Sequence, residues 1–287
     1  MTKVENIAIR SMTLNDVKGG MRLSKAEGWN QTENDWRLFI ADPNNFCLLA
    51  ESENKIVGTT TAINYGEEAW IGMVLVDKEY RGLGISKALL SQIFANLSSS
   101  RSLKLDATAA GQPVYQKFGF KNEYLISRMV NVSVKEVPVQ VSDSNVEAMS
   151  PDNIEEIIVL DETVFGVKRK QLIKFLFTEY PAAATVLKRE GKIVGFALGR
   201  EGSRYFQVGP VVASSIADAK DLISTSLMRL ANRPVVVDVL CDKKELMDWL
   251  NEIGFATQRD FIRMYKDENH FPGNIHMLHL ICGPEFG

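Results

Sequence analysis

The chain has 287 residues, 45% of them hydrophobic, with 33 Lys and Arg against 36 Asp and Glu. That length predicts two domains of ordinary size, each with enough apolar residues for a core. A net charge of -3 lacks the basic excess of a nucleic-acid binder, and no segment is long and apolar enough for a bilayer span, so neither nucleic acid nor membrane is an expected partner. Cys47, Cys241 and Cys282 are an odd number and far apart, and residues 1–6 carry no apolar signal region. Both points predict reduced thiols in a cytoplasmic protein.

From the N-terminus, the pattern predicts a strand at 8–11 and helices at 14–26 and 33–42. Thr32 reads as the N-cap of the second helix, with Asp35 completing a capping box. Strands 46–51 and 55–63 form a hairpin through Ser52-Glu-Asn, and strand 70–76 follows. A helix at 84–97 carries Ile85, Leu89, Ile93 and Leu97 as a core stripe. Next come strand 103–106, helix 112–118 and strand 124–130. Residues 132–143 alternate with polar positions, contain Pro138, and read as a final strand and linker. Beyond it lie helices at 154–165 and 169–177. Strands are expected at 184–189, 192–200, 205–212, 235–239 and 257–265, with helices 218–231 and 243–253 among them. Asp161, Glu162 and Phe165 share one helical stretch and read either as a face turned to a cleft or, the favoured reading, as a solvated acidic helix face with one core aromatic.

The chain repeats itself. Lys55-Ile-Val-Gly58 returns 137 residues later as Lys192-Ile-Val-Gly195, and Gly72 maps at the same offset onto Gly209. Gly119-Phe120 returns as Gly254-Phe255, 135 residues on. Nearly equal offsets indicate a duplicated fold. At these offsets Arg81, Gly82 and Gly84 fall on Asp218, Ala219 and Asp221, and Tyr115 falls on Leu250.

Residues 76–87, Val-Asp-Lys-Glu-Tyr-Arg-Gly-Leu-Gly-Ile-Ser-Lys, are the most informative stretch. A strand enters this basic glycine turn and a helix leaves it. Backbone N–H groups at the positive end of a helix suit a phosphate or diphosphate. Gly82 and Gly84 let the chain approach such a ligand, and Arg81 and Lys87 add positive charge. Lys87 stands where a dinucleotide motif would have its third glycine.

Arg81-x-x-Gly84-x-Ser86 resembles the Arg/Gln-x-x-Gly-x-Gly/Ala signature of the GCN5-related N-acetyltransferases, with Ser86 a small departure at the last position. Tyr115-Gln-Lys-Phe-Gly-Phe120, after the strand at 103–106, is similar to the tyrosine motif of the same family. Ala26-Glu-Gly28-Trp29-Asn30 and Leu105-Asp-Ala-Thr-Ala-Ala-Gly111 resemble a bacterial subgroup with a second acetyltransferase-like domain. The resemblance implies an α/β (α+β) fold of two tandem domains, each a mixed central sheet flanked by helices. Residues 1–135 would form the catalytic domain, and residues 141–287 a degenerate copy without the CoA-binding loop.

What the resemblance implies for chemistry is an acetyl-CoA-dependent N-acetyltransferase with one active site, acting on a small-molecule amine. The backbone of Val74, Leu75 and Val76 would pair with pantetheine. Arg81, Gly82, Leu83, Gly84, Ile85, Ser86 and Lys87 would hold the diphosphate, and Tyr115 and Phe118 would complete the cofactor contacts. Tyr115 would donate a proton to the CoA sulfur as general acid, or hydrogen-bond it. Glu67, Glu68 and Asp106 are candidates for the base, with water as the alternative. Trp29, Asn30 and Tyr65 are candidates for acceptor contact. A donor with a longer acyl chain and a non-catalytic acyl-CoA sensor remain open. No metal is expected, because His270, His276 and His279 lack a third ligand of fitting spacing. A tandem fold is compatible with a monomer or a homodimer.

Overall fold

The computed structural model describes residues 7–97, 100–135 and 145–287. The chain clusters into two compact units, Met1–Leu105 and Asp106–Gly287. Of the strand and linker expected at 132–143, residues 136–143 lie outside the described residues. Residues 132–135 form no strand, contrary to the alternation read there.

The first unit holds β1 (Ala8–Ser11), α1 (Val17–Ala26), α2 (Glu33–Ala41), β2 (Phe46–Ser52), β3 (Lys55–Asn64), β4 (Glu68–Val76) and α3 (Ile85–Asn96), and β5 (Ser102–Thr108) begins in it. The strands lie in the order β1-β2-β3-β4-β5, with β4 and β5 parallel and the rest antiparallel. Local chemistry explains the ends. The β2–β3 hairpin turns through Glu53 and Asn54, both at positive φ, the backbone of a twist-matched two-residue turn. Thr32 caps α2: its hydroxyl accepts from Asp35 N at 3.3 Å, and the Asp35 carboxylate accepts from Thr32 N at 2.7 Å. Ile85, Leu89, Ile93 and Leu97 are all buried, as their spacing predicts. Ile85 and Leu89 pack where β3 has Gly58, whose added Cβ would sit 2.8 Å from Ile85.

The second unit contains α4 (Gln112–Gln116), β6 (Phe120–Asn131), β7 (Val146–Ala148), α5 (Ile154–Phe165), α6 (Lys170–Glu179), β8 (Thr185–Arg189), β9 (Lys192–Arg200), β10 (Phe206–Val212), α7 (Ile216–Met228), β11 (Val235–Leu240), α8 (Lys244–Glu252), β12 (Ala256–Lys266) and β13 (Leu278–Leu280). Its strand order is β12-β6-β11-β13-β10-β9-β8-β7. Strands β7 and β13 are too short for periodicity to announce.

Strand β6 comes from the first sequence copy yet lies between β11 and β12 of the second. Two buried forks fasten this arrangement. Arg128 of β6 stands opposite Asp238 of β11 and bonds both its oxygens at 2.7 Å. Arg263 of β12 bonds both oxygens of Asp106 at 2.9 Å. Each pair joins an Arg of one copy to an Asp of the other. Asp161, read as solvated, is instead buried against Arg169, again through both oxygens. An arginine eight residues along the chain was enough to draw it inward.

Candidate active site

In the first unit, β4 and β5 are registered over Glu68↔Ser102, Ala69↔Leu103 and Trp70↔Lys104. Among the described residues no register pair joins them beyond Trp70, and no strand comes between them. A strand edge that loses its neighbour keeps N–H and C=O groups for another partner. Val74, Leu75 and Val76 lie on this edge. A bulge precedes them: Met73 has φ 51°, the β3 register breaks there, and Thr59 Oγ1 donates to Met73 O at 2.9 Å.

The eight residues 77–84 connect β4 to α3. Asp77 opens the loop; burial opposes its ionisation, but hydrogen bonds from Arg22 and Lys55 outweigh that and hold the carboxyl at about 2. Gly82 and Gly84 have φ of 80° and 77°, and a Cβ added to either meets nothing within 4 Å. The loop is therefore an open cradle at the start of α3, with Gly84 as N-cap. The shape fits a diphosphate. Lys87 and Arg81 are exposed, Leu83 and Ser86 half-buried. Ile85 points into the core, so only its backbone is left for a ligand. Arg81 bonds Val76 O through Nε at 3.3 Å and Glu27 through Nη2 at 2.6 Å.

Trp29 and Asn30 follow Gly28, at φ 65°, in the α1–α2 turn, and Trp29 N bonds Ser24 O at 2.9 Å. Asn30 is buried and Trp29 half-buried. Tyr65, half-buried, sits in the β3–β4 turn. Glu67 is solvated and pairs with Arg101, whereas Glu68 is fully buried as the first residue of β4. Its Oε2 accepts from Ser102 at 2.9 Å and lies 3.6 Å from the buried Lys104 ammonium.

In the second unit, Tyr115 stands half-buried on α4, its ring 6.0 Å from that of Phe120. Burial pushes its phenol upward, so it keeps its proton at neutral pH. Phe118 is half-buried beside it in sequence, before Gly119 at φ 88°. Asp106 is buried, and its carboxylate is taken by Arg263, which also donates to Tyr124 OH. Burial raises Asp106 while the Arg263 fork pulls it down. Sequence reasoning missed Arg263, Tyr124 and Glu27. Arg128 and Arg263 stand 135 residues apart, the offset of the Gly-Phe landmark, and that signal was present.

The second copy differs at the corresponding place. Strands β10 and β11 are registered over Phe206↔Val235 to Val208↔Val237. Beyond that, β13 lies between them, pairing Leu280 with both Val211 and Val239. Its approach is close: a Cβ on Gly209, at φ 145°, would lie 2.1 Å from Ile281 O. Only three residues, 213–215, join β10 to α7. The common offset therefore fails here. Asp218 and Asp221 belong to the first turns of α7, where Asp218 bonds the N-cap Ser215, and they do not correspond to Arg81 and Gly84. His279, on β13, is buried with Nε2 3.2 Å from Ala213 O; burial lowers it to about 4, so it is neutral. Among the described residues, no three His, Cys, Asp or Glu side chains gather as a metal-holding group, and no helix is long and apolar enough to cross a membrane.

These features define a duplicated acyl-transferase fold: a parted strand pair, a bulge and a glycine loop at a helix start. The acetyltransferase (GNAT) domain family matches the chain twice, at residues 20–133 and 157–280. The chain belongs to the GNAT acetyltransferases and carries two such domains in tandem. Among its relatives, a holothin acyltransferase from a Pseudoalteromonas species is 28% identical over 268 residues, 91% of this chain and 88% of the relative. An uncharacterised N-acetyltransferase of Bacillus subtilis is 23% identical over 239 residues, 83% and 84% of the two chains. A crystal structure of a putative acetyltransferase from Pyrococcus horikoshii has the same fold, with TM-score 0.79, 21% identity, and coverage of 99% of this chain and 96% of that one. A tandem GNAT protein of the clavulanic acid biosynthesis pathway overlays with TM-score 0.63 at 13% identity, covering 90% and 98%.

Proposed function

We propose that the chain is an acetyl-CoA-dependent N-acetyltransferase for the amine of a small molecule, with one active site, in its N-terminal domain. The observation that carries this reading is the contrast between the copies. The parting of β4 and β5 leads into an open glycine cradle, whereas β13 fills the parting of β10 and β11. The second domain is thus the degenerate one.

Acetyl-CoA, when bound, supplies a thioester carbonyl and a thiolate leaving group. The backbone of Val74, Leu75 and Val76 pairs with the pantetheine arm, and an N–H there polarises the carbonyl. The N–H groups of the turn at Gly82–Lys87, aided by the α3 dipole, hold the diphosphate. Tyr115 serves the sulfur. A thiol at about 8.5 is a stronger acid than a phenol at about 10, and burial widens that gap. Full proton transfer from Tyr115 is therefore uphill, and its contribution is a hydrogen bond to the sulfur as charge develops. Asp106, taken fork to fork by Arg263, orients its surroundings, and the amine proton passes to water. Glu68 is fully buried, with Oε2 on the Ser102 hydroxyl and beside the Lys104 ammonium, which suits a structural carboxylate better than a base. Trp29, Asn30 and Tyr65 are assigned to the acceptor. The name of the Pseudoalteromonas relative supports acyl transfer and keeps a longer acyl donor as a second reading.

Titration calorimetry with acetyl-CoA tests the proposal, followed by an amine screen read as CoA release. One site per chain is expected. Two sites would overturn the degenerate second domain, and no binding would overturn the transferase reading. Tyr115→Phe is expected to lower kcat by about tenfold to a hundredfold and to leave acetyl-CoA affinity unchanged. An unchanged kcat would remove Tyr115 from the reaction.

A further inference from the structure

We infer that Glu27 sets the affinity of the N-terminal domain for acyl-CoA by competing with the diphosphate for Arg81. The inference rests on the site proposed above. Glu27 is the C-cap residue of α1, and its carboxylate meets Arg81 Nη2 at 2.6 Å, with the arginine side chain 51% and the glutamate 25% exposed. The other tie of Arg81, Nε to Val76 O, holds the same guanidinium against the end of β4. A cavity of about 100 Å³ lies at this junction, lined by Arg22, Leu23, Ala26 and Glu27 from α1 and by residues 75–78 at the end of β4.

The neighbouring cations of α1 and β3 are already matched by carboxylates of the loop. Asp77 takes Arg22 at 2.9 Å and Lys55 at 3.0 Å, and Lys55 also reaches Glu79 at 3.8 Å. Arg81 differs in that it belongs to the loop itself and its carboxylate comes from outside the loop, at the end of α1, where Glu27 is 25% exposed against 11% for Asp77. A half-exposed ion pair is weak, so a ligand can displace it. A guanidinium fork matches phosphate oxygens as well as it matches a carboxylate. A diphosphate that takes the Nη2 edge of Arg81 displaces Glu27 from it, and meets repulsion from that carboxylate until it does. Arg81 therefore has two alternative anionic partners, one supplied by the chain and one by the ligand.

The test compares wild type, Glu27→Gln, Arg81→Gln and the double variant, each titrated with CoA and with acetyl-pantetheine, which lacks the diphosphate. Glu27→Gln is expected to tighten CoA by about threefold to tenfold, the scale of an exposed ion pair plus a relieved repulsion, and to leave acetyl-pantetheine unchanged. In the Arg81→Gln background the gain disappears. Unchanged or weakened CoA affinity in Glu27→Gln overturns the inference and leaves the proposed function standing. So does a gain that persists without Arg81 or extends to acetyl-pantetheine. Wild-type protein that binds no CoA overturns both.

Discussion

Gly84→Asp is expected to abolish acetyl-CoA binding, with a loss of about a hundredfold or more, while the protein still folds. Gly84 caps α3 at φ 77°, and a Cβ built on it meets nothing within 4 Å. The Cβ of the new side chain therefore meets no protein atom. Aspartate enters left-handed backbone more readily than most residues, and a carboxylate at a helix start suits the dipole. Both effects protect the fold. They do not protect the ligand, because the carboxylate occupies the open side of the cradle. A unit charge 4 Å away repels by about 4 kcal/mol at an effective dielectric of 20, and about 1.4 kcal/mol is tenfold in affinity. Gly84→Ala separates the two causes. It carries only the backbone strain, about 1–2 kcal/mol, and should bind acetyl-CoA close to normally once folded. Calorimetry paired with thermal melting reads both quantities. Retained affinity in Gly84→Asp would remove the diphosphate from this loop.

Much of the fold was legible because it is written locally. The Thr32 to Asp35 box, the Ser52-Glu-Asn turn and the Ile85 stripe each depend on residues within a turn or two, and each formed as expected. The glycine loop belongs to the same class, since positive φ at Gly82 and Gly84 is a property of two residues. The misreadings of sites and pairings lie between elements. A three-residue strand such as Leu278-His-Leu280 has no period, and its role comes from the space between β10 and β11. The exchange of β6 into the second unit depends on pairings more than a hundred residues apart. Asp161 looked solvated because its cation, Arg169, lies beyond the end of its helix. A constant offset also failed where the second copy shortens its loop, which placed Asp218 in the first turn of α7, bonded to the N-cap Ser215.

Asp238→Ala is expected to cost about 3–5 kcal/mol of stability, a large share of the total for an ordinary domain. Asp238 is fully buried, and Arg128 opposite it is nearly so. Gln207 Nε2 adds a third hydrogen bond to the same carboxylate at 3.0 Å. Truncating the aspartate strands a buried guanidinium and an amide donor together, and neither can rotate to water from the middle of a sheet. The pair also ties β6 to β11, so the cost falls on the strand exchanged between copies. The cost lies in the unpaired charge rather than in the worth of the pair. Arg128→Leu with Asp238→Leu should therefore recover most of the loss, because apolar replacement of a buried ion pair is often neutral or better. Denaturant midpoints for the two variants decide the matter. A single variant that loses less than about 1 kcal/mol would mean that water reaches Arg128. A double variant as unstable as the single one would mean that the fork itself specifies how β6 pairs.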